Sequence, residues 1–417
     1  MNFCAFTILV LRNIFQKESK KMKKKRTEKD FLGTLELPYN AYYGINSMRG
    51  HDNFFVSEDK TDSTLIKTIA WVKRSCALAN LKCKIIDKKI ADAIVNACDL
   101  ISKGYYHDQF IVNSIQGGGG TSINMAANEI IANIALEALG HNKGEYAIID
   151  PLNHVNMSQS TNDIFPTAIN LALILKLKSF INVLNEIKET LVSKSIETSS
   201  ITKMGRTHLN AASPITFGQC FNAYLSMFIR DHDRINQAQD SLLYIPLGGT
   251  VIGTGINTSP QYKSYVIEYL RQVSGINVEV CSNLADGIQN VDVYTALSSA
   301  LKICILNLSK VASDLRLLGS DPQYGIGEIH LPPRQMGSSI IPDKINPVMA
   351  ELINQISFIV CGYDLTINMA AQAGQLELNV YKPTISYCLF KSIDLMTEAI
   401  KLFDQYCLQG MKVVEKT

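Results

Sequence analysis

The sequence predicts a mainly α-helical protein built as an elongated bundle of long helices. Three observations carry this. Helical apolar periodicity runs through residues 164–194, 214–239, 282–318, 347–373 and 384–408. Strand-like alternation is scarce after residue 60. Apolar residues make up 47% of the 417, enough for a large core and too many for a disordered chain. Helices this long and apolar need several partners to bury their faces, so completion of the bundle by other subunits is expected.

The elements follow in order. Residues 1–30 read as an N-terminal extension expected to be disordered. A short apolar run at 3–11 is followed by a basic cluster from Lys20 to Arg26, and the composition changes at Met22, a candidate true start. Residues 31–160 read as an N-terminal, mostly helical domain and 161–410 as the central long-helix domain. Residues 411–417 read as the start of a further one. Within the first domain, Ile66, Ile69, Ala70, Val72 and Lys73 set one helical period, and residues 85–101 another. The stretch Gln116 to Ser122 holds four consecutive glycines, so it is a loop; Thr121 or Ser122 is the expected cap of the helix that follows. A polar loop, His154 to Asp163, opens the next helix, with Pro166 expected in its first turn. In the loop Gly337 to Pro347, Asn346-Pro347 fits an N-cap followed by proline at the first helical position.

Composition also excludes. A net charge of +2 argues against nucleic acid as a partner. The ten cysteines form no CxxC pair and mostly sit in apolar runs, reading as buried free thiols in a reducing, cytoplasmic compartment. Cysteine and histidine never cluster at zinc-ligand spacing, so no metal site is expected. No uninterrupted apolar run reaches eighteen residues, so no membrane span is expected. GxSxG, HExxH and GxxxxGK[ST] are absent, and the glycines at 248–255 lack dinucleotide-binding spacing.

What remains is a set of loops rich in hydroxyls and amides, each leading into a helix. A helix N-terminus offers unpaired N–H groups and partial positive charge, and hydroxyls beside it make an anion cradle. Thr121, Ser160 and Thr161 fit that role, or act only as caps. Ser338, Lys344 and His208 are equally open to bland readings as a turn residue, a solvated charge and a surface histidine. From composition, the function is binding of a small anion such as a carboxylate.

Five blocks in order resemble one family. They are QGGGGTSINMAANEIIAN, HVNMSQSTNDIFPTA, KMGRTHL, LGGTVIGTGINT and GSSIIPDKINP, the last similar to the signature loop of the aspartase/fumarase superfamily. The resemblance runs from about Lys29 to about Gln409. Within the superfamily the aspartate ammonia-lyases are the better match, through Ala41 to Gly44, Asp108 to Phe110, Gly117 to Ser122 and His141 to Tyr146. Class II fumarase is the alternative, and a catalytically impaired, truncated homologue is another.

The resemblance implies an aspartase/fumarase-like helix bundle, a homotetramer with each active site shared among three subunits, and a small dicarboxylate substrate. It implies that Ser338 is the base that takes a proton from C3, giving a carbanion delocalised into the adjacent carboxylate. Thr121, Ser160, Thr161 and Ser339 correspond to binders of that carboxylate, and Lys344, Asn346 and Thr207 to binders of the other. Asn162, Thr207 and His208 correspond to residues near the amino group, and Glu351 to a carboxylate that partners the histidine. No cofactor is implied; activation by a divalent cation is left open. Departures are Ile341 in place of methionine, Asp343 in place of a small residue beside Lys344, Asn210-Ala211 in place of Gln-Asp, and Asn46 in place of histidine. The family's small C-terminal domain is expected to be missing, with folding kept and activity reduced or altered.

Overall fold

A computed structural model describes residues 24–415 except Pro342. The apolar run at 3–11, Cys4 and the candidate start at Met22 lie outside the described residues. The expected disorder does not extend to residue 30. Lys25–Asp30 (β1) pairs antiparallel with Gly33–Pro38 (β2), Asp30 opposite Gly33.

The division of the chain also differs from the expected break at 160. Two compact units form, each from separated segments. The first comprises residues up to Ala172, Leu243–Asn290 and Gly374–Pro383; the second comprises Leu173–Leu242, Val291–Ala373 and Thr384–Thr417. Local sequence pattern cannot reveal this, because the returning segments are short and carry no composition shift.

The first unit holds helices Ile45–Phe54 (α1), Ser63–Lys82 (α2), Lys88–Ser102 (α3) and Thr121–Ala138 (α4). It also holds the start of Thr161–Glu197 (α5), and Tyr262–Ser274 (α7) and Leu284–Gln289 (α8). Asp62 and Asp87 cap α2 and α3, each side chain accepting from two backbone N–H groups of the first turn. α2 packs on α3 and α7, and α4 packs on α1 and α3. The parallel strands Tyr244–Ile245 (β5) and Glu279–Val280 (β6) close the unit's second segment.

The second unit holds Phe217–Ser241 (α6), Asp292–Leu318 (α9), Val348–Gln372 (α10) and most of Lys382–Phe403 (α11). α9 packs against α10 and α6. Phe217, Phe221 and Phe228 form one buried stripe on α6. A capping box between Thr216 and Gln219 starts α6, three residues later than the apolar period suggests. The intervening residues form the hairpin Thr202–Thr207 (β3) and Asn210–Thr216 (β4). The expected helix over 282–318 is likewise broken, into α8 and α9. Ile329–His330 (β7) pairs with Lys412–Val413 (β8).

One further expectation is corrected. Three helices, α5, α9 and α10, contain eighteen-residue windows apolar and long enough to cross a membrane, with hydropathy of 1.6, 1.2 and 1.2. Counting uninterrupted runs missed them, since isolated polar residues do not lower a window average far. In α5 the window is 72% buried in the protein itself, so packing accounts for its apolarity. Of the nine described cysteines, all free, five are buried and four are half-buried.

Candidate active site

In the first unit the site residues stand at two helix starts. Gly118, Gly119 and Gly120 all have positive φ, at +85°, +66° and +100°. At Gly120 a Cβ would come within 2.4 Å of the Phe165 ring, so only glycine fits. Gly120, not Thr121 or Ser122, is the residue that caps α4. The Thr121 hydroxyl instead donates to the Gly118 carbonyl at 2.8 Å and stays exposed on the first helical turn.

At the start of α5, Ser160 is a true cap. Its Oγ accepts from the Asn162 N–H at 3.2 Å, and Asp163 Oδ1 accepts from the Ser160 N–H at 3.0 Å. Thr161 Oγ1 accepts from Asn124 Nδ2 at 3.0 Å, and Asn162 Nδ2 donates to the Val251 carbonyl at 2.8 Å. Because the helix starts at Thr161, Pro166 lies inside it rather than in the first turn, and cannot donate to the Asn162 carbonyl.

Beneath this turn sit charges that sequence reasoning did not assign. Asp163 is fully buried, and its second oxygen accepts from the Gly248 and Thr250 N–H groups, both at 3.0 Å. Burial pushes its carboxyl up to about 6, against the pull of those N–H donors. Lys73, also fully buried, donates to Asn156 Oδ1 and Gln159 Oε1, both at 2.8 Å. Burial lowers its ammonium to about 8. The Ser-x-x-Asp spacing at 160–163, and a lysine within the apolar stripe of α2, were the available signals. Glu129 is a third such group. It accepts from the N–H groups of Gly44, Asn46 and Ser47 and from the Asn46 and Ser47 side chains, fixing the start of α1.

In the second unit, Thr207 and His208 stand at the exposed tip of the β3–β4 hairpin. The two-residue turn, His208-Leu209, has φ of +54° and +62°. Such turns favour Asn-Gly; a histidine and a leucine there cost about 1–3 kcal/mol each in backbone strain. Arg206, next to Thr207, donates to the buried Glu328 at 2.6 Å, and Lys203 approaches the same carboxylate at 3.1 Å.

Ser338 lies in the loop before α10. Its Oγ accepts from the N–H groups of Ile340 and Ile341 at 3.2 and 3.0 Å. The loop is clamped at its base by Gly337 N–H to the Lys344 carbonyl at 2.7 Å and Asn346 Nδ2 to the Gly337 carbonyl at 2.9 Å. Asn346 therefore closes the loop rather than capping α10, whose cap is Pro347. Ser339 and Lys344 are exposed, and among the described residues no ion pair joins Asp343 to Lys344. A cleft of about 790 Å³ beside the loop is lined by Lys344, Asn346, Glu351, Arg316, His330 and Asp321. Within one chain Glu351 pairs with Arg316 at 3.5 Å, and no described hydrogen bond joins it to His208. Among the described residues no group of three or more His, Cys, Asp or Glu is arranged to hold a metal ion.

Both sets are rich in hydroxyls, amides and backbone N–H groups, and in the second a serine is held by two backbone donors. A family model described as lyase matches residues 33–362. The chain belongs to this lyase family, the aspartase/fumarase superfamily. It is 48% identical to an aspartate ammonia-lyase from a Bacillus species, over 94% of this chain and 84% of that protein. Among solved structures it is similar to a fumarate lyase:delta crystallin from Brucella melitensis bound to cobalt. The TM-score is 0.92 and the identity 41%, covering 94% of this chain and 86% of that one. A class II fumarase from Schistosoma mansoni gives a TM-score of 0.91 at 30% identity, covering 94% of this chain and 86% of that one. As an enzyme of this family, the chain acts on a small molecule of the dicarboxylate class.

Proposed function

We propose that this chain catalyses the reversible elimination of ammonia from L-aspartate to give fumarate. The reading rests on its 48% identity to an aspartate ammonia-lyase across 94% of its length. In the proposed mechanism Ser338, as an alkoxide, takes a proton from C3. Serine is a weak base at its ordinary pKa, and the Ile340 and Ile341 N–H groups that already point at its Oγ would stabilise the anion. The electron pair left on C3 spreads into the adjacent carboxylate, which Thr121, Ser160, Thr161 and Ser339 hold. Preorganised dipoles at the start of α5 lower the barrier because they need little rearrangement as charge develops. Lys344, Asn346 and Thr207 bind the second carboxylate. Asn162, Thr207 and His208 surround the amino group, and the C2–N bond then breaks to release ammonia.

The enzyme works as a homotetramer in this reading, with each site assembled from three subunits. The exposed side chains of Phe358, Leu365 and Met369 along α10 support it, since an apolar helical face of that length normally finds a partner. No cofactor carries out the chemistry, and a divalent cation serves at most as an activator. Free buried thiols fit a cytoplasmic location.

The test is ultraviolet detection of fumarate from L-aspartate and from L-malate in separate reactions, with Ser338→Ala as control and mass in solution measured alongside. Fumarate from aspartate alone, lost in the variant, supports the proposal. Fumarate from malate alone overturns it in favour of fumarase activity. Turnover unchanged after chelation and unstimulated by Mg²⁺ would remove the activator role.

A further inference from the structure

Lys73 is unusual for its depth: a lysine fully buried in the middle of a helix. It is fully buried within α2, at a position whose neighbours Val72 and Cys76 are apolar and buried. A buried ammonium carries a large desolvation penalty that only hydrogen bonds and nearby negative charge offset. Here the acceptors are two side chains of the polar loop, Asn156 and Gln159, each at 2.8 Å. Both lead directly to residues of the proposed carboxylate cradle. Asn156 Oδ1 also accepts from Asn124 Nδ2 at 3.2 Å, and Asn124 donates in turn to Thr161 Oγ1 at 3.0 Å. Gln159 is the residue before Ser160, and its Nε2 donates to the Val155 and Met157 carbonyls, which curls the loop. Asp163, a buried carboxyl that favours the charged form of Lys73, ties the same turn to Gly248 and Thr250.

From this geometry we infer that Lys73 is the positioning residue of the carboxylate cradle, its buried ammonium holding residues 156–161 in the shape that receives the anion. It touches no reacting atom. It acts through Asn156 and Gln159, so that the Thr161 hydroxyl and the first N–H groups of α5 face the ligand without being reorganised on binding. A preformed anion site loses less entropy when it fills, so loss of Lys73 acts first on binding.

The inference rests on the proposed role of Ser160 and Thr161, and the test separates the two. Succinate, the saturated four-carbon dicarboxylate, cannot eliminate ammonia and reports binding alone. Its Kd is measured by calorimetry on the full-length protein, together with KM and kcat for L-aspartate. The variants are Lys73→Met, Gln159→Met and Thr161→Ala. Lys73→Met is expected to weaken succinate binding and raise KM by about ten-fold or more, with a smaller fall in kcat. Gln159→Met keeps the buried charge and removes one acceptor; it is expected to move both in the same direction by a few-fold, and serves if Lys73→Met does not fold. Folded Lys73→Met and Gln159→Met with unchanged Kd and KM, while Thr161→Ala binds poorly, would overturn the role of Lys73 alone. Unchanged succinate binding in Thr161→Ala would overturn the cradle assignment itself.

Discussion

The start of α5 and the loop before α10 carry equally important chemistry in the proposed reaction, yet they are held in opposite ways. Around Ser160 and Thr161, hydrogen bonds run inward to Asp163, Asn124 and, through Asn156 and Gln159, to Lys73, groups that are themselves mostly buried. Around Ser338, they stay within the loop, and the Ile340 and Ile341 side chains stand in solvent. One cradle is preformed by a buried charge network. The other is a short clasp, closed at Gly337 and Asn346. Segments with few buried contacts open at low free-energy cost, while networked ones open only with the whole domain. In the proposed reaction the first region is the rigid carboxylate receptor and the second the adjustable loop that carries the base.

The largest expected effect is on the loop. Ser338→Ala removes the proposed base and is expected to lower kcat by about 10²–10⁴-fold with the melting temperature unchanged. A matching fall in stability would break the contrast, because it would make the loop structural. Asp163→Ala should do the reverse. It leaves the Ser160, Gly248 and Thr250 N–H groups without their acceptor, the last two of them buried, a loss of about 3–5 kcal/mol readable by denaturant titration. Next in size is Asn346→Ala, which opens the clasp at a cost of about 1 kcal/mol for the lost hydrogen bond. Its signature is a raised KM with little change in global unfolding, measured side by side.

The pH dependence sharpens the same contrast. Burial raises the Asp163 carboxyl from 3.8 to about 6, so between those values the folded state holds its proton more tightly than the unfolded one. Its contribution to stability therefore falls as pH rises from about 4 to 6. Asp163→Asn removes this linkage, and the stability of the variant relative to the parent should improve across that window. A flat difference would mean that the buried network ionises normally. The smallest effect is expected at an exposed pair. Lys88→Ala breaks the Lys88–Asp92 bridge on α3 and should change stability by under about 0.5 kcal/mol.

The residues of the proposed site were named from the sequence, because the chemistry needs particular side chains in fixed local order. Ser338, Thr161 and His208 took their roles from the family's motif blocks. Their supports did not. Lys73 reads as one more position in an amphipathic period until its depth is known, and Glu328 lies some 120 residues from its partner Arg206. The role of Asn346 was misjudged for a related reason. Asn-Pro before a helix is a good local capping signal, but its side chain found the Gly337 carbonyl nine residues earlier.

The sequence by itself determined that this is a protein of long helices, that its polar loops meet helix starts, and which lyase superfamily it joins. Those properties follow from periodicity and short motifs, which act over a few residues. Tertiary structure decided where β3 and β4 interrupt the helical pattern, and that residues 243–290 and 374–383 return to the first unit. It also decided which charges are buried beneath the cradle. These depend on contacts between residues far apart in the chain, and burial, which sets the Lys73 and Asp163 ionisations, exists only once the helices have packed.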